Sequence, residues 1–390
     1  MLKAYRVDFH VTEENLDRLF ECNRISATVW NDVLVIAKNY HLQYGKWINK
    51  TELQKALKQK YPLPSQSIQA VAHKYLFARN SAYEIRRKGL PQSKYPYKKK
   101  KNFNTKWVDK AFTIHPNGKI ELHMGIQNGK RQKPIVVYIK DIPLYPVREI
   151  ELIYNRRLML CLIYDDGAVA PINNYSDLAS VDLGEIHSIS AYHQNGNTLV
   201  ISGRKMRSIH QFRNKKIAEL QRKMGKCQKG SRQWKKYNRA LRFILSKSEE
   251  QLRGMEHKTS KQFVDWCVKN QTKKVIVGNV EGVQRNTKKK KSKKTNQKLS
   301  NWRFGKLQQY MEYKLKVQGM EMQKVDESYT TQTCPVCSRR KKPSGRIYRC
   351  KCGYECHRDI HGARNIMSKY LYQDIRYVGD LAEIKYLRIG

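Results

Sequence analysis

The strongest chemical signal in this chain is a set of closely spaced cysteines. Cys334 and Cys337 form one pair, and Cys350 and Cys352 form a second pair after twelve intervening residues. Zn²⁺ binds four thiolates tetrahedrally, and ligands a few residues apart let a tight turn present two sulfurs to one ion. The spacing therefore predicts one structural zinc ion held by these four cysteines.

The fourth zinc ligand has alternatives in the sequence. The second pair has a single intervening residue where two are more common, so Cys356 or His357 could replace one of its members. The other cysteines are scattered along the chain: Cys22, Cys161, Cys227 and Cys267. Clustered cysteines beside isolated ones are typical of metal binding in a reducing compartment rather than of a disulfide framework.

Three acidic residues are placed where a catalytic site needs them. Asp182 ends an apolar strand, Glu281 ends a second one, and Asp359 precedes a helix directly after the cysteines. Taken singly, each could be solvated or could cap a helix. Their order along the chain is that of an RNase H-like fold, in which such acids converge. Three carboxylates there can hold two Mg²⁺ ions about 4 Å apart, one to activate water and one to stabilise the leaving oxygen.

The first half of the chain predicts a β module with a helical insertion. Residues 2–10 alternate as a strand does, and apolar residues at helical spacing follow from Thr12 to about Lys88. A second helix is predicted near Glu52–Gln59, and Ser65 is expected to cap a third helix that ends at Arg87. Strands are predicted between residues 111 and 165. We therefore expect residues 1–10 and 90–170 to form one β domain and residues 11–89 a helical insertion.

The second half predicts an α/β domain interrupted by the cysteine segment. A strand, a hairpin and two long basic helices, near 206–224 and 231–270, precede the strand before Glu281. A helix near 307–318 and a strand near 321–328 follow. The expected boundaries are 176–328 and 358–390 for this domain and 329–357 for a zinc ribbon. Residues 284–298 carry no apolar side chain, which predicts a mobile loop that could cover the acids.

The charge of the chain indicates an anionic partner. Lys and Arg outnumber Asp and Glu by 78 to 33, for a formal net charge of +45. Nucleic acid fits best, since each Lys or Arg near a phosphate releases a counterion; an acidic membrane is the weaker alternative. No apolar run approaches the ~20 residues of a membrane span, and the first residues lack a signal-peptide core. We therefore expect a cytosolic protein with no membrane partner.

Two basic regions are candidates for nucleic-acid contacts. In the first, aromatic residues that could stack on unpaired bases are interleaved with cations. Its residues are Tyr95, Tyr97, Lys98, Lys99, Lys100 and Lys101. In the second, Arg207 and Arg213 lie on the first long basic helix. A solvated loop edge and a solvated helix face are the alternatives; the net charge favours a channel along a nucleic-acid backbone for the helix.

Several strings resemble the TnpB family, whose members are transposon-encoded, RNA-guided DNA nucleases related to the type V CRISPR effectors. The resembling segments are 181–184 (VDLG), 278–282 (GNVEG), 300–304 (SNWRF), 334–337 (CPVC), 350–354 (CKCGY) and 357–366 (HRDIHGARNI). The resemblance is specific over residues ~180–367 and rests on layout alone over 1–165. The Cys-x-Cys pair and His357 depart mildly from the family pattern.

The resemblance implies a prokaryotic, multidomain α/β and β protein. Its parts would be a RuvC-type RNase H-like domain with an inserted zinc ribbon, and a preceding β-barrel wedge domain with a helical recognition insertion. Asp182, Glu281 and Asp359 would be the RuvC triad with two Mg²⁺ ions, and the ribbon would touch target nucleic acid.

The partners implied are a guide RNA from the transposon end and double-stranded DNA with a short flanking motif, bound by a monomer. A nuclease-silent RNA-guided repressor and a DNA transposase are the alternatives. All three acids are present, which favours the nuclease.

Overall fold

A computed structural model describes residues 1–127, 129–280 and 292–390. The predicted catalytic residue Glu281 and the first part of the predicted mobile loop, residues 284–291, lie outside the described residues. The chain divides into two compact units, Met1–Ala168 and Val169–Gly390.

The first unit combines three helices with short antiparallel strands. In chain order its elements are β1 (Leu2–Val7), α1 (Glu13–Tyr44), α2 (Lys50–Leu57), α3 (Ser65–Arg87), β2 (Thr105–Val108), β3 (Phe112–Ile114), β4 (Lys119–Leu122), β5 (Ile126–Gln127), β6 (Lys130–Arg131), β7 (Ile135–Tyr138), β8 (Val147–Asn155) and β9 (Arg157–Asp165).

The helix boundaries follow from local capping chemistry. The Thr12 hydroxyl accepts a hydrogen bond from a backbone N–H in the first turn of α1, and α1 ends at Gly45, whose φ of 66° suits a residue without a Cβ. The predicted cap of α3 was wrong. Ser65 is the first helical residue, and Pro64 before it offers no side-chain cap.

Two sheets and the helices of this unit share one core. The larger sheet has the order β1-β9-β8-β2, so α1–α3 lie in sequence between β1 and the other strands of its own sheet. The smaller sheet has the order β3-β4-β7, and the fully buried Trp107 and Leu19 belong to the common core. The sequence did not predict β2, and although strands were predicted between residues 111 and 165, no individual strand was assigned at β8. Charged residues such as Glu149 and Glu151 alternate with the buried ones in β8 and dilute the apolar signal.

The second unit places helices on both faces of a mixed sheet. Its elements are β10 (Asp177–Asp182), β11 (His187–His193), β12 (Thr198–Ser202), α4 (Arg204–Gly225), α5 (Arg232–Lys269), β13 (Thr272–Gly278), α6 (Lys293–Asn301), α7 (Phe304–Val317), β14 (Glu321–Val325), β15 (Ile347–Arg349), β16 (Glu355–His357), α8 (Arg358–Tyr372) and β17 (Ile384–Arg388).

Strand direction gathers the ends of three strands at one edge of this sheet. The order is β14-β13-β10-β11-β12-β17; β10, β11 and β12 are antiparallel neighbours, whereas β13 runs parallel to β10 and β14 parallel to β13. Val181 pairs with Val277, and Gly278 pairs with Val325. Residues that directly follow β10, β13 and β14 are therefore brought together.

The alternation of β10 decides which residues face which helix. Ala179 and Val181 pack with α5 and α7 in one core, whereas the Ser180 hydroxyl on the other face donates to the Ala363 carbonyl of α8 at 2.7 Å. Because side chains alternate along a strand, Asp182 shares the α8 face with Ser180.

One predicted loop is partly helical. Residues 293–298 fall within α6, which begins after Ser292; the Ser292 hydroxyl accepts from the Thr295 N–H at 3.1 Å. The prediction of a mobile loop over 284–298 is thus wrong for its last residues, because a capped, exposed helix needs little apolar surface. Nor was β17 predicted.

Among the described residues, no helix has both the length and the apolar character needed to cross a bilayer.

Candidate functional site

The first predicted acid, Asp182, ends β10 beneath helix α8. A Cβ added to Gly362 would lie 2.6 Å from Asp182 Oδ2, so a glycine is what lets the helix approach the carboxylate this closely. Burial raises the pKa of Asp182 to about 8, and the nearby charges of Glu327 and Asp359 add to the rise. Asp182 is a carboxyl group held in a site that disfavours its charge.

The third predicted acid, Asp359, lies in the first turn of α8. Its Oδ2 and the Nδ1 of His187 share a hydrogen bond of 2.6 Å, and Arg346 Nη1 lies 3.6 Å from the same oxygen. Burial pushes the pKa of Asp359 upward, but the hydrogen bond and charge of His187, with His357 and Arg346, lower it overall. The N-terminus of α8 also favours a negative charge. The pKa of Asp359 is therefore lowered, whereas the pKa of Asp182 is raised.

The second predicted acid, Glu281, lies outside the described residues. The chain before it is well placed, since β13 ends at Gly278 beside β10 and Val280 is buried. The structure thus places Asp182 and Asp359 close enough for their charges to interact. β13, which ends three residues before Glu281 in the sequence, lies beside the strand that carries Asp182.

Glu327 is a further acid that the sequence analysis missed. It follows the end of β14 by two residues, and a Cβ added to Gly278 would lie 2.6 Å from Glu327 Oε2. Burial raises its pKa to about 7, helped by the charge of Asp326. Its own charge is the largest electrostatic contribution to the raised pKa of Asp182. The signal in the sequence that could have identified Glu327 was an acid at the end of the strand predicted near 321–328.

These carboxyl groups suit hard divalent cations. Carboxylate oxygens are the ligands that Mg²⁺ prefers, and a dication would offset the repulsion that raises the pKa values of Asp182 and Glu327. Within the described residues, Asp182, Glu327 and Asp359 do not form one compact ligand cluster as the cysteines do. A wider arrangement fits two ions about 4 Å apart better than one shared ion.

The raised pKa of Asp182 predicts a pH-dependent stability cost in the metal-free protein. Between about pH 4 and pH 8 the unfolded chain releases the Asp182 proton while the folded chain keeps it, so stability falls by up to about 1.4 kcal/mol per pH unit. Asp182→Asn removes this cost. We expect the advantage of Asp182→Asn over the wild type, measured as free energy of unfolding in urea with EDTA, to grow from pH 4 to pH 8.

Asp326→Asn is the matched control for this experiment. A hydrogen bond from Lys369 lowers the pKa of the exposed Asp326 to about 2. The contribution of Asp326 to the free energy of unfolding is therefore complete above pH 4 and is lost only in stronger acid. Its effect on stability should be constant from pH 4 to pH 8. An equally constant effect of Asp182→Asn would show that Asp182 is not held protonated.

The four predicted cysteine ligands come from two turns that lie close together. One turn carries Cys334 and Cys337, and the other, between β15 and β16, carries Cys350 and Cys352. Cys334 Sγ lies 3.6 Å from Cys352 Sγ, and Cys337 Sγ lies 3.4 Å from Cys350 Sγ. A tetrahedral site with Zn–S bonds of 2.3 Å has sulfurs ~3.8 Å apart, so a small expansion admits the ion.

The alternative zinc ligands lie elsewhere. Cys356 is buried in a separate apolar cluster with Val200 and Ile360, and His357 groups with His187 and Asp359 instead of with the cysteines. The geometry favours the set Cys334, Cys337, Cys350 and Cys352.

Part of the first basic region is used for packing inside its own unit. The Tyr95 ring lies 4.7 Å from the Trp47 ring, and the Arg86 guanidinium lies over Tyr95. Lys100 Nζ lies 4.4 Å from the rings of Trp30 and Phe103, and burial lowers its pKa. Tyr95 and Lys100 therefore anchor the segment to the helices.

The rest of this region is open to solvent. Tyr97 is 60% exposed, with the ammonium groups of Lys94 and Lys98 5.6 and 6.0 Å from its ring. Lys99 and Lys101 are also exposed. These residues can stack on a base and contact phosphates, as the sequence predicted for the whole segment.

The second basic region borders a cavity of about 810 Å³ next to Gly184. Arg207 lines it, and Arg207 Nε lies 3.1 Å from Glu185 Oε1. Arg213 Nη2 donates to Asn301 Oδ1 at 2.7 Å and so ties α4 to α6 at the cavity wall. Gly184, which lines the cavity, lies two residues after Asp182 in the sequence.

Two sequence families match the chain. Residues 164–284 match a family described as a probable transposase, and residues 304–366 match the Cas12f1-like TNB domain. A TnpB-like protein from Methanocaldococcus jannaschii is 27% identical over 227 residues, which cover 55% of this chain and 79% of the relative. These matches bear out the resemblance of the chain to the TnpB family.

Other similarities of this chain are to CRISPR effectors. The endodeoxyribonuclease Cas12f1 of Sulfoacidibacillus thermotolerans is 38% identical over 72 residues, 17% of either chain. A structure of Cas12f1 with sgRNA and target DNA superposes with a TM-score of 0.64 at 16% identity, covering 91% of this chain and 83% of that one. That likeness establishes a shared fold.

The segments matched by the two family models contain the candidate site of this protein. The probable-transposase match spans Asp182 and Glu281, and the TNB match spans Glu327, the four cysteines and Asp359. The first basic region lies before both matches. The assignment of its residues as nucleic-acid contacts depends only on their chemistry and their exposure.

Proposed function

We propose that this protein is an RNA-guided DNA endonuclease. The observation that carries the proposal is the proximity of Asp182, which lies beneath α8, to Asp359 in the first turn of α8, at the sheet edge where β10, β13 and β14 end. The order β14-β13-β10-β11-β12, with two parallel and two antiparallel pairs of neighbours, supports an RNase H-like assignment of RuvC type.

Each acid has a distinct task in this proposal. Asp182, Glu281 and Asp359 would hold two Mg²⁺ ions, which would supply water activation and stabilisation of the leaving 3′ oxygen of a DNA phosphodiester. Gly362 keeps α8 close enough for Asp182 and Asp359 to act together. His187 holds Asp359 by its hydrogen bond, and Glu327 adds negative charge next to Asp182.

The remaining parts would bind the nucleic acids. Residues 1–10 and 90–170 are proposed as a wedge domain, 11–89 as a recognition insertion, 176–328 and 358–390 as the nuclease domain, and 329–357 as a target-binding ribbon. The net charge of +45 supports partners rich in phosphate. A guide RNA would supply sequence specificity by base pairing, while the protein reads backbone shape and a short flanking motif.

One alternative function has its own support. The family matched by residues 164–284 is described as a probable transposase, and two-metal sites also join DNA strands. A transposase would join ends in trans, whereas the nuclease only hydrolyses. A nuclease-silent repressor would bind guided DNA and leave it intact.

We expect site-specific cleavage to require RNA that co-purifies with the protein. The protein is stripped of RNA and then offered plasmid DNA with its native transcript, with a transcript of scrambled guide sequence, or alone. Only the first mixture should cut, at the site matching the guide. RNA affinity, measured by filter binding, should fall about 10³–10⁵-fold between 50 and 200 mM salt if six to ten phosphates are contacted.

Three results would contradict this proposal in different ways. Equal cutting at one fixed site in all mixtures would mean that the protein reads DNA directly. Joined DNA products with the native transcript would identify the transposase alternative. Guided binding of intact plasmid would identify the repressor.

A further inference from the structure

A group of metal-ligating side chains lies beside the proposed Mg²⁺ site and is unlike it in chemistry. His187, His357 and Asp359 each offer one ligand atom, and these atoms lie within 4.8 Å of one another. They are the first residue of β11, the last residue of β16 and a first-turn residue of α8. The fold therefore assembles two imidazoles and a carboxylate from three elements.

His187 is held in place by its hydrogen bond to Asp359, and in the described part of the chain one buried ring nitrogen of His357 has no polar partner that would compete for a metal. His187 is 7% exposed, and its ring centroid lies 5.3 Å from that of His357. His357 Nδ1 is buried, and no hydrogen-bond partner for it exists in the described part of the chain. A buried ring nitrogen without a partner is unfavourable, and a ligand would satisfy it.

We propose that His187, His357 and Asp359 form an auxiliary site for a first-row transition-metal dication such as Zn²⁺ or Co²⁺. Imidazole nitrogens suit these ions, and two histidines with one carboxylate on one side of an ion leave further positions for water. Mg²⁺ prefers oxygen ligands, so the histidines select against it. The site differs in ligand chemistry from the four-thiolate ribbon and from the carboxylates around Asp182, with which it shares Asp359.

The distances indicate what must move when the ion enters. His187 Nδ1 and Asp359 Oδ2 are 2.6 Å apart, whereas two ligands bound to one ion at 2.0–2.2 Å are ~3.2 Å apart. The hydrogen bond must therefore open by roughly half an ångström. Arg346 Nη1, 3.6 Å from the same oxygen, opposes a cation, but its side chain is 49% exposed and can turn toward solvent.

Sharing Asp359 links this site to catalysis. An ion held by the two histidines takes one oxygen of Asp359, and the Mg²⁺ site then loses a ligand. This consequence rests on the proposed nuclease function: Zn²⁺ or Co²⁺ should inhibit cleavage in the presence of Mg²⁺. The binding site itself does not depend on that function.

The test is a Co²⁺ titration of the full chain with its ribbon already loaded with zinc. Equilibrium dialysis should find about one Co²⁺ per chain without the intense thiolate charge-transfer absorption of a cysteine site. His357→Asn removes a ligand and leaves the His187 hydrogen bond intact. His187→Asn keeps a donor near Asp359 but removes the imidazole. Each should weaken Co²⁺ binding by at least about tenfold.

Three further variants make the experiment decisive. Arg346→Gln should strengthen Co²⁺ binding because it removes a nearby cation, and Asp182→Asn should leave binding intact. His73→Asn, an exposed histidine of the first unit, should change nothing. Unchanged affinity in His357→Asn, or Co²⁺ that appears only as a thiolate complex, would overturn the proposal. Because binding is measured without DNA, a failure of guided cleavage does not affect this result.

Discussion

Asp182→Ala, Glu281→Ala and Asp359→Ala should each reduce Mg²⁺-dependent DNA cleavage by at least about 10³-fold, a loss of about 4 kcal/mol in transition-state stabilisation. The physical reason is that each acid supplies ligands to ions that act together, so the remaining two cannot compensate. Asp182 lies beneath α8 and Asp359 lies in its first turn, and their charges interact. Cleavage is followed on a gel with purified protein, guide RNA and plasmid.

RNA affinity separates a catalytic loss from a folding defect. The charge that attracts RNA comes from Lys and Arg elsewhere, so filter binding should be unchanged in all three variants. Asp326→Ala is the matched acidic control; it lies next to Glu327, but its carboxylate is exposed and pairs with Lys369. It should cut at nearly the wild-type rate. Near-native cutting by Asp182→Ala, Glu281→Ala or Asp359→Ala would remove that residue from the triad.

Cys337→Ser should remove the bound zinc and unfold the ribbon. Structural zinc contributes on the order of 10 kcal/mol to small metal-stabilised folds at neutral pH. In this chain the 329–357 segment contains two strands of three residues each, β15 and β16, so the ion should supply much of the stability of the segment. Elemental analysis should find about one zinc per chain in the wild type and much less in Cys337→Ser. Proteolysis should cut the variant within the ribbon.

Other cysteine variants test the ligand set. Cys227→Ser lies outside the cluster and should retain full zinc content. Loss of zinc in Cys356→Ser but not in Cys352→Ser would identify Cys356 as the fourth ligand. Absence of zinc from the wild type, or full zinc in Cys337→Ser, would rule out the ribbon assignment.

Local sequence was sufficient where the chemistry itself is local. The four cysteines were predictable because zinc ligands recur at short spacings, and the structure brings those four together. The strand that ends at Asp182 and the helix that carries Asp359 were predictable because buried strands and helix starts have strong patterns over a few residues. The similarity to the TnpB family was also contained in short strings around these residues.

Long-range relations were decided by the tertiary structure. The sequence near 327 shows only an acid at the end of a predicted strand. Glu327 matters because β14 lies parallel to β13 and places Glu327 next to Gly278 and Asp182. The same holds for His187, whose hydrogen bond to Asp359 joins residues 172 positions apart. Sequence also could not separate the exposed Tyr97 from the packed Tyr95, since both lie in one basic segment. Composition and spacing specify which groups exist and which short turns they form, whereas burial, pKa and pairing depend on neighbours that only the folded sheet and α8 supply.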